Sequence, residues 1–203
     1  MKNSISAIIL AAGQSKRMNR PKPFLAFDEK KNFISNLIST YIEAGINKIR
    51  VVVSPSIEIE CSKIIKEHYT GWPVTIVVNS FPEKGRFYSL QLGLEKTDTE
   101  FCFIQNADNP FVTENLLSHM CRRIKQDAYV VPVFKNEKGH PIVICKKIMN
   151  HCSKLNGNDF NLREELHKFE EISLEWNQKN ILANINTEDE YQKYFSTCEV
   201  FMK

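Results

Sequence analysis

Glycine is scarce in this chain, at seven residues in 203. Only Gly13 falls in the turn after the first apolar run, so the G-x-G-x-x-G dinucleotide fingerprint is missing, and G-x-x-x-x-G-K-[ST] occurs nowhere. No apolar run approaches the ~20 residues of a membrane helix, which excludes a spanning segment of that kind. The six cysteines, Cys61, Cys102, Cys121, Cys145, Cys152 and Cys198, show neither C-x-x-C nor zinc-type spacing. They read as scattered, mostly buried thiols of a reducing cytoplasm rather than a metal or disulfide framework. A net charge of +3 is too small to imply a nucleic-acid partner. The first strand starts almost at the amino terminus, and no signal peptide is expected ahead of it. Nor is there an internal repeat, a low-complexity tract or a linker. One domain over residues 1–203 is the expectation.

What is present is an alternation of strand-length apolar runs with segments of helical period, the pattern of β-α units around a mostly parallel sheet. Strands are expected at Ile5–Leu10, Lys48–Ser54, Pro73–Val78, Phe101–Gln105, Ala128–Phe134, Pro141–Cys145, Ile172–Leu174 and Leu182–Ile185. Helices are expected over Asn32–Ala44, ended by Gly45, and from a Ser56 cap to His68. Further helices follow over Gly85–Lys96, after a Thr113 cap, near Lys146–Leu155, near Phe160–Phe169 and from Thr187. The fold class is α/β, a three-layer α/β/α sandwich.

The chemistry gathers first at Leu10-Ala11-Ala12-Gly13-Gln14-Ser15-Lys16-Arg17-Met18-Asn19-Arg20-Pro21-Lys22. Ala11, Ala12 and Gly13 have so little bulk that a ligand can approach the backbone amides. Arg17 and Lys22 add the fixed positive charge that a polyphosphate needs. In an open α/β sheet, ligands bind beyond the strand carboxyl ends, which is where this turn lies. The segment reads as a nucleoside triphosphate site, the alternative being a basic loop after a buried strand.

This turn, with Pro21-Lys22, resembles the signature loop of the MobA-like nucleotidyltransferases, in the L-A-A-G-x-S-x-R form of molybdenum cofactor cytidylyltransferases. The resemblance implies a Rossmann-like sheet of the nucleotide-diphospho-sugar transferase (GT-A-like) type. It also implies Mg²⁺ as cofactor, an NTP donor with CTP favoured, a small phosphorylated acceptor of molybdopterin type, a cytoplasmic location and a monomer or weak homodimer. Leu10, Ala11, Ala12 and Gly13 would line the nucleotide.

Asp108, in Gln105-Asn106-Ala107-Asp108-Asn109-Pro110-Phe111-Val112, sits at another strand end facing the same crevice. A carboxylate there can neutralise Arg17 and Lys22, or hold Mg²⁺ against a triphosphate. It resembles the family's G-D-x-P-F-V, with Ala107 in place of glycine. Asn184-Ile185-Asn186-Thr187-Glu188-Asp189 resembles the family's N-I-N-T-P-E-D segment, which makes Asn186 a second metal contact; Thr187 as a helix cap is the plainer reading. In Asn79-Ser80-Phe81-Pro82-Glu83-Lys84-Gly85-Arg86-Phe87-Tyr88-Ser89, Gly85 allows a turn into a helix and Ser89 offers a hydroxyl. Asn79, Gly85, Ser89 and Gly93 match the spacing of the family's nucleoside pocket. Arg86 with Ser89 also resembles the methylerythritol phosphate cytidylyltransferases.

Gly139-His140-Pro141 resembles the G-H-P segment of the molybdenum cofactor branch, with His140 placed to touch the acceptor phosphate. Asn158-Asp159-Phe160-Asn161-Leu162-Arg163 takes the place of that branch's G-D-x-G-A-R with both glycines lost, leaving Asp159 as a helix cap and Arg163 as an acceptor contact. His68, His119, His151 and His167 fall in helical stretches and receive no role.

The expected reaction moves a nucleoside monophosphate from the NTP to the acceptor and releases pyrophosphate, with Lys22, Arg17 and Asp108 as catalytic residues. Lys22 is expected on the α-phosphate, Arg17 on the β- and γ-phosphates, and Mg²⁺ on Asp108 and Asn186. Two rivals remain at this level: a sugar or polyol phosphate as acceptor, and a nucleotide-binding module without turnover. NAD-linked chemistry is a distant third.

Overall fold

The computed structural model describes residues 5–13, 17–18, 20–46, 48–155 and 160–195. Among the described residues, eight strands form one sheet: β1 (Ile5–Leu10), β2 (Lys48–Val53), β3 (Val74–Val78), β4 (Phe101–Asn106), β5 (Ala128–Phe134), β6 (Glu137–Lys138), β7 (Ile142–Cys145) and β8 (Glu170–Glu175). Their order is β3-β2-β1-β4-β7-β5-β6, with β8 on β5. The pairs β1–β2, β2–β3, β1–β4 and β5–β8 are parallel. Strand β7 runs against both β4 and β5. Its direction follows from chain length, because so short a return from β5 leaves no room for a crossover helix. That return begins with a two-residue turn at Lys135 and Asn136, whose φ angles of 48° and 68° suit the twist of a hairpin.

Strand alternation sends side chains to opposite faces, and a separate core forms on each. On one face Ala7, Ile9, Val51, Val53 and Phe103 meet α1 (Phe33–Glu43), α2 (Pro55–His68) and α4 (Glu114–Cys121) through Leu37, Ile38, Tyr41, Ile57, Leu117 and Met120. On the other, Ile8, Leu10, Val52, Ile104, Tyr129 and Ile144 meet α3 (Gly85–Leu94), α5 (Lys146–Lys154) and α6 (Leu162–Leu166). Gly93 lets α3 lie this close, since a Cβ there would come within 2.7 Å of Ile8. The last helix, α7 (Glu188–Phe195), closes a third small cluster of Met18, Leu25, Phe33, Ile185 and Tyr191. No helix among the described residues is long and apolar enough to cross a membrane.

Element boundaries differ from expectation in a few instructive places. Asn32 caps α1 by accepting from the Ser35 amide at 2.9 Å, and Thr113 caps α4 in the same manner. The cap position of α2, however, is Ser54 and not Ser56, because Pro55 presets the first helical turn. The helix near Phe160–Phe169 is shorter, covering Leu162–Leu166 only. Leu182–Ile185 is not a strand. A 3-10 turn over Lys179–Leu182 leads into irregular chain there, and β5 already has β7 on one side and β8 on the other.

The ligand-binding geometry comes from the strand order. From β1 the chain moves outward to β2 and β3, then returns across β1 to form β4, so the topological switch lies between β1 and β4. Leu10 pairs in register with Asn106, which places the ends of both strands side by side.

Candidate active site

Two turns leave that switch point, one from each strand. The Ala107 amide donates to the Leu10 carbonyl at 3.0 Å and the Ala11 amide to Val52 at 2.8 Å, so both turns are pinned to neighbouring strands. Behind the Asp108 turn, Gln105 donates to the carbonyls of Asn106 and Asn109, and Tyr41 donates to the Gln105 side-chain oxygen. Asn36 donates to Pro110 at 3.0 Å, and Asn109 to Ile181 at 2.9 Å. The Asp108 carbonyl accepts from Ile185 at 2.7 Å, which draws the Asn184–Asn186 segment to the same edge. A buried polar lattice of this kind fixes one backbone geometry, because losing any member leaves a buried group unpaired.

A cavity of about 270 Å³ opens between these turns, lined by Leu10, Ala11, Ala12, Gly13, Lys22, Pro23, Pro82, Gly85, Arg86, Ser89, Asn106, Ala107 and Asp108. Lys22, set on a 3-10 turn over Lys22–Phe24, reaches toward two oxygens of the site. Its Nζ donates to Asn186 Oδ1 at 2.6 Å and stands 3.9 Å from Asp108 Oδ2. The second Asp108 oxygen, Oδ1, is buried and has no hydrogen-bond partner among the described residues. Burial holds the Lys22 ammonium below the usual lysine range. Asp108 and Glu190 oppose that shift, while Arg17 and Arg86 add to it. A partly desolvated ammonium beside an unsatisfied carboxylate oxygen suits a ligand that brings negative charge together with a cation.

Several expected residues stand differently. Arg17 is exposed in the first turn and does not line the cavity, although its charge reaches Lys22. Asn79, expected against the nucleoside, is fully buried. It donates to Ser89 Oγ at 2.9 Å and accepts from the Phe81 amide at 2.8 Å, so it sets the wall from behind. Gly93 is likewise a packing residue under β1 and not part of the pocket. Gly85 does line it, in a backbone conformation of φ 86° and ψ −176° that is essentially restricted to glycine. Arg20 is turned away, 3.7 Å from Glu188 and 5.2 Å from the Tyr191 ring centre.

Asn186 faces Lys22 because of a reciprocal cap at the start of α7. The Asn186 and Thr187 amides donate to the Glu190 carboxylate at 2.6 and 3.0 Å, and the Glu190 amide donates to Thr187 Oγ1. Thr187-x-x-Glu190 is a capping-box spacing and could have been read from the sequence. No group of three or more His, Cys, Asp or Glu side chains suited to a metal occurs among the described residues.

A second cavity, of about 830 Å³, adjoins the first and shares Leu10, Arg86 and Asn106 with it. His140 and Arg163 both line it, together with the aromatic rings of Phe87, Tyr129 and Phe160. His140 Nε2 lies 3.1 Å from Asn106 Nδ2, an amide donor, so Nε2 accepts and the imidazole is neutral. Burial, reinforced by Arg86 and opposed by Asp108, pushes the His140 imidazole down to about 4. Any contact His140 makes at neutral pH is therefore that of an uncharged ring. On the far wall, Tyr129 and Lys138 both donate to the Glu171 carboxylate. Asn106, Lys138 and the three rings were missed, since they come from strands, a helix and a loop far apart in the chain. Asp159 lies outside the described residues.

With this geometry in place, the family can be settled. The model of the MobA-like NTP transferase domain matches residues 7–171. The chain belongs to that family. It is accordingly a nucleotidyltransferase. It is 24% identical over 200 residues to the molybdenum cofactor cytidylyltransferase of Escherichia coli K12, covering 93% of this chain and 94% of that one. It is 27% identical over 213 residues to a probable molybdenum cofactor guanylyltransferase of Clostridium perfringens, covering 96% and 98%. Among solved structures, Rv0371c of Mycobacterium tuberculosis superposes with a TM-score of 0.78 at 17% identity, over 95% of this chain and 98% of that one. Rv0371c has also been solved as a manganese complex.

Proposed function

We propose that this protein transfers CMP from CTP to a molybdopterin-type phosphate and releases pyrophosphate. The observation that carries the reading is the pair of adjoining cavities. One is built from the Leu10–Gly13 turn, Lys22 and Asp108, and the other carries His140, Arg163 and three aromatic rings. The first suits a triphosphate and the second a flat phosphorylated acceptor. Phe87, Tyr129 and Phe160 favour a planar ring over a polyol. The Ala11-Ala12-Gly13 form of the first turn supports cytidine, as in the Escherichia coli relative.

In the step itself, an oxygen of the acceptor phosphate bonds to the α-phosphorus while the bond from that phosphorus to the β-bridging oxygen breaks. Pyrophosphate leaves with the electron pair. The attacking phosphate is already ionised at neutral pH, so no side chain need remove a proton. Catalysis then rests on alignment and charge neutralisation. Lys22 stabilises charge on the α-phosphate and Arg17 the β- and γ-phosphates. Small residues at Ala11, Ala12 and Gly13 admit the phosphates to the backbone amides, while Gly85 and Ser89 bound the nucleoside, with Asn79 holding the Ser89 hydroxyl in place. On the acceptor side, Arg163 binds the anionic group and His140 supports it as a neutral ring.

The orphaned Asp108 Oδ1 and the amide oxygen of Asn186 are hard oxygen donors, which fit Mg²⁺ or another divalent cation, with phosphate oxygens and water completing its shell. When bound, such a cation supplies electrostatic stabilisation of the phosphate oxygens. The five cysteines among the described residues are free thiols, in keeping with a cytoplasmic setting.

A pyrophosphate-release assay across the four NTPs, with Mg²⁺ and either a molybdopterin or a sugar phosphate acceptor, tests the reading. Release with CTP and the pterin is expected. Release with a sugar phosphate alone replaces the acceptor. Absence of release with every pair, despite CTP binding, marks a silent nucleotide-binding module.

A further inference from the structure

Arg86 occupies the wall where the two cavities meet. Of the three residues that line both, Leu10, Arg86 and Asn106, it is the charged one. It sits in the first turn of α3, exposed, and among the described residues it makes no hydrogen bond or ion pair. Two other arginines are committed elsewhere. Arg50 donates to the carbonyls of Gly93, Glu95 and Lys96, and Arg20 is taken up by Glu188 and Tyr191. Burial is the main cause of the lowered values at both Lys22 and His140, and the Arg86 charge adds to each, so its field extends into both cavities.

An unpaired guanidinium between two anion-sized spaces has a specific chemical use. Nucleotidyl transfer brings two phosphates together, and each repels the other. A planar guanidinium has two hydrogen-bonding edges in a fixed fork and can serve an oxygen of each phosphate at once; an ammonium is a point charge without that geometry. We propose that Arg86 is a catalytic residue that holds the acceptor phosphate against the α-phosphate of the donor, one edge of the guanidinium on each. This role rests on the nucleotidyl-transfer reading above. The bond formed is acceptor oxygen to α-phosphorus, and the bond broken is the one to the leaving pyrophosphate.

The test separates Arg86 from the overall reaction by using binding as well as turnover. CTP with Mg²⁺ is titrated calorimetrically into wild type, Arg86→Gln and Arg86→Lys, and inorganic phosphate is then titrated into each CTP-loaded protein. In Arg86→Gln, phosphate affinity of the loaded protein should fall by at least ~10-fold, the scale of one charge-assisted hydrogen bond. CTP affinity without phosphate should fall less. Where the wild type turns over, Arg86→Gln should lower kcat by ~10²-fold, the scale of losing one transition-state donor. Arg86→Lys keeps the charge without the fork and should recover at most part of the phosphate affinity; full recovery would mean that charge alone suffices, a fall in CTP affinity as large as the fall in phosphate affinity would mean that the loss is structural, and either overturns the proposal. Unchanged phosphate affinity in Arg86→Gln also overturns it. A wild type that binds CTP and phosphate together but releases no pyrophosphate with either the pterin or the sugar phosphate acceptor refutes the transfer reading, while the phosphate titration still decides the role of Arg86.

Discussion

The two cavities that share Arg86 are built from different materials. The smaller is walled mostly by alanine, glycine and proline at strand ends and turns, with Lys22, Arg86, Ser89 and Asp108 as its main polar groups. The larger is walled by full-sized side chains from β5, β7, α3 and α6, including rings, cations and the neutral His140. In the first, main chain pinned to β1, β2 and β4 does the positioning. In the second, specificity rests on side chains that a few substitutions would change. On the proposed reading, such a scaffold would keep one kind of donor and exchange acceptors, because the smaller cavity's wall cannot be altered without disturbing the sheet.

The largest predicted effect tests the donor side. On the proposed mechanism, Lys22→Ala should lower turnover by ~10²-fold or more with every acceptor, since it would remove a donor to the transferring phosphate. Pyrophosphate release measures this. Near-normal turnover would take Lys22 out of the mechanism and leave the smaller cavity without its main cation.

His140 gives a comparable effect on stability, confined to acid. Its imidazole is pushed down to about 4 from the ordinary 6.5, so the folded protein binds fewer protons than the unfolded chain between those values. The stability it contributes is complete above about pH 6.5 and is lost as pH falls through about 4, amounting to ~3 kcal/mol at most. Urea unfolding of wild type and His140→Gln from pH 7 to 4 measures it. The variant should lose this part of the pH dependence, and parallel curves would mean that His140 is more solvated than its surroundings suggest.

How much of this the sequence revealed tracks the same division. That Leu10 to Gly13, Lys22 and Asp108 would line one crevice was legible because they lie in short contiguous turns at the ends of strongly apolar strands. The strands Ile5–Leu10 and Ala128–Phe134 match expectation residue for residue. Leu182–Ile185 misled because a short apolar run of strand length does not by itself tell a strand from irregular chain, and β5 has no free side for it. Ile185 packs instead with Met18, Phe33 and Tyr191. Asn79 shows that spacing alone does not say whether a side chain faces a cavity or supports a neighbour, here Ser89. The position of Arg86 between two cavities depends on how α3 lies across β1 and β2, which no local pattern encodes.

Arg163 sharpens the comparison from the acceptor side. Arg163→Gln should raise the KM for the acceptor by ~10-fold, the scale of one hydrogen bond to a charged group, and leave CTP affinity unchanged. Steady-state kinetics with a separate CTP titration distinguish the two. A loss of CTP affinity instead would mean that the cavities do not divide donor from acceptor as their linings suggest.

The smallest effect concerns the hinge between the two walls. Gly85 holds φ 86° and ψ −176°, and a Cβ added there would meet nothing within 4 Å. Any penalty for Gly85→Ala must then come from the backbone, at about 1–2 kcal/mol, because an L side chain disfavours this region even in open space. If the variant relieves the strain by shifting the first turn of α3, Arg86 and Ser89 move with it, and CTP affinity falls a few-fold along with stability. If stability falls while affinity holds, the turn keeps its place and the strain is borne in full. An unfolding curve and a CTP titration on the same preparation separate these outcomes, and the first would mean that Gly85 sets the spacing between donor and acceptor walls.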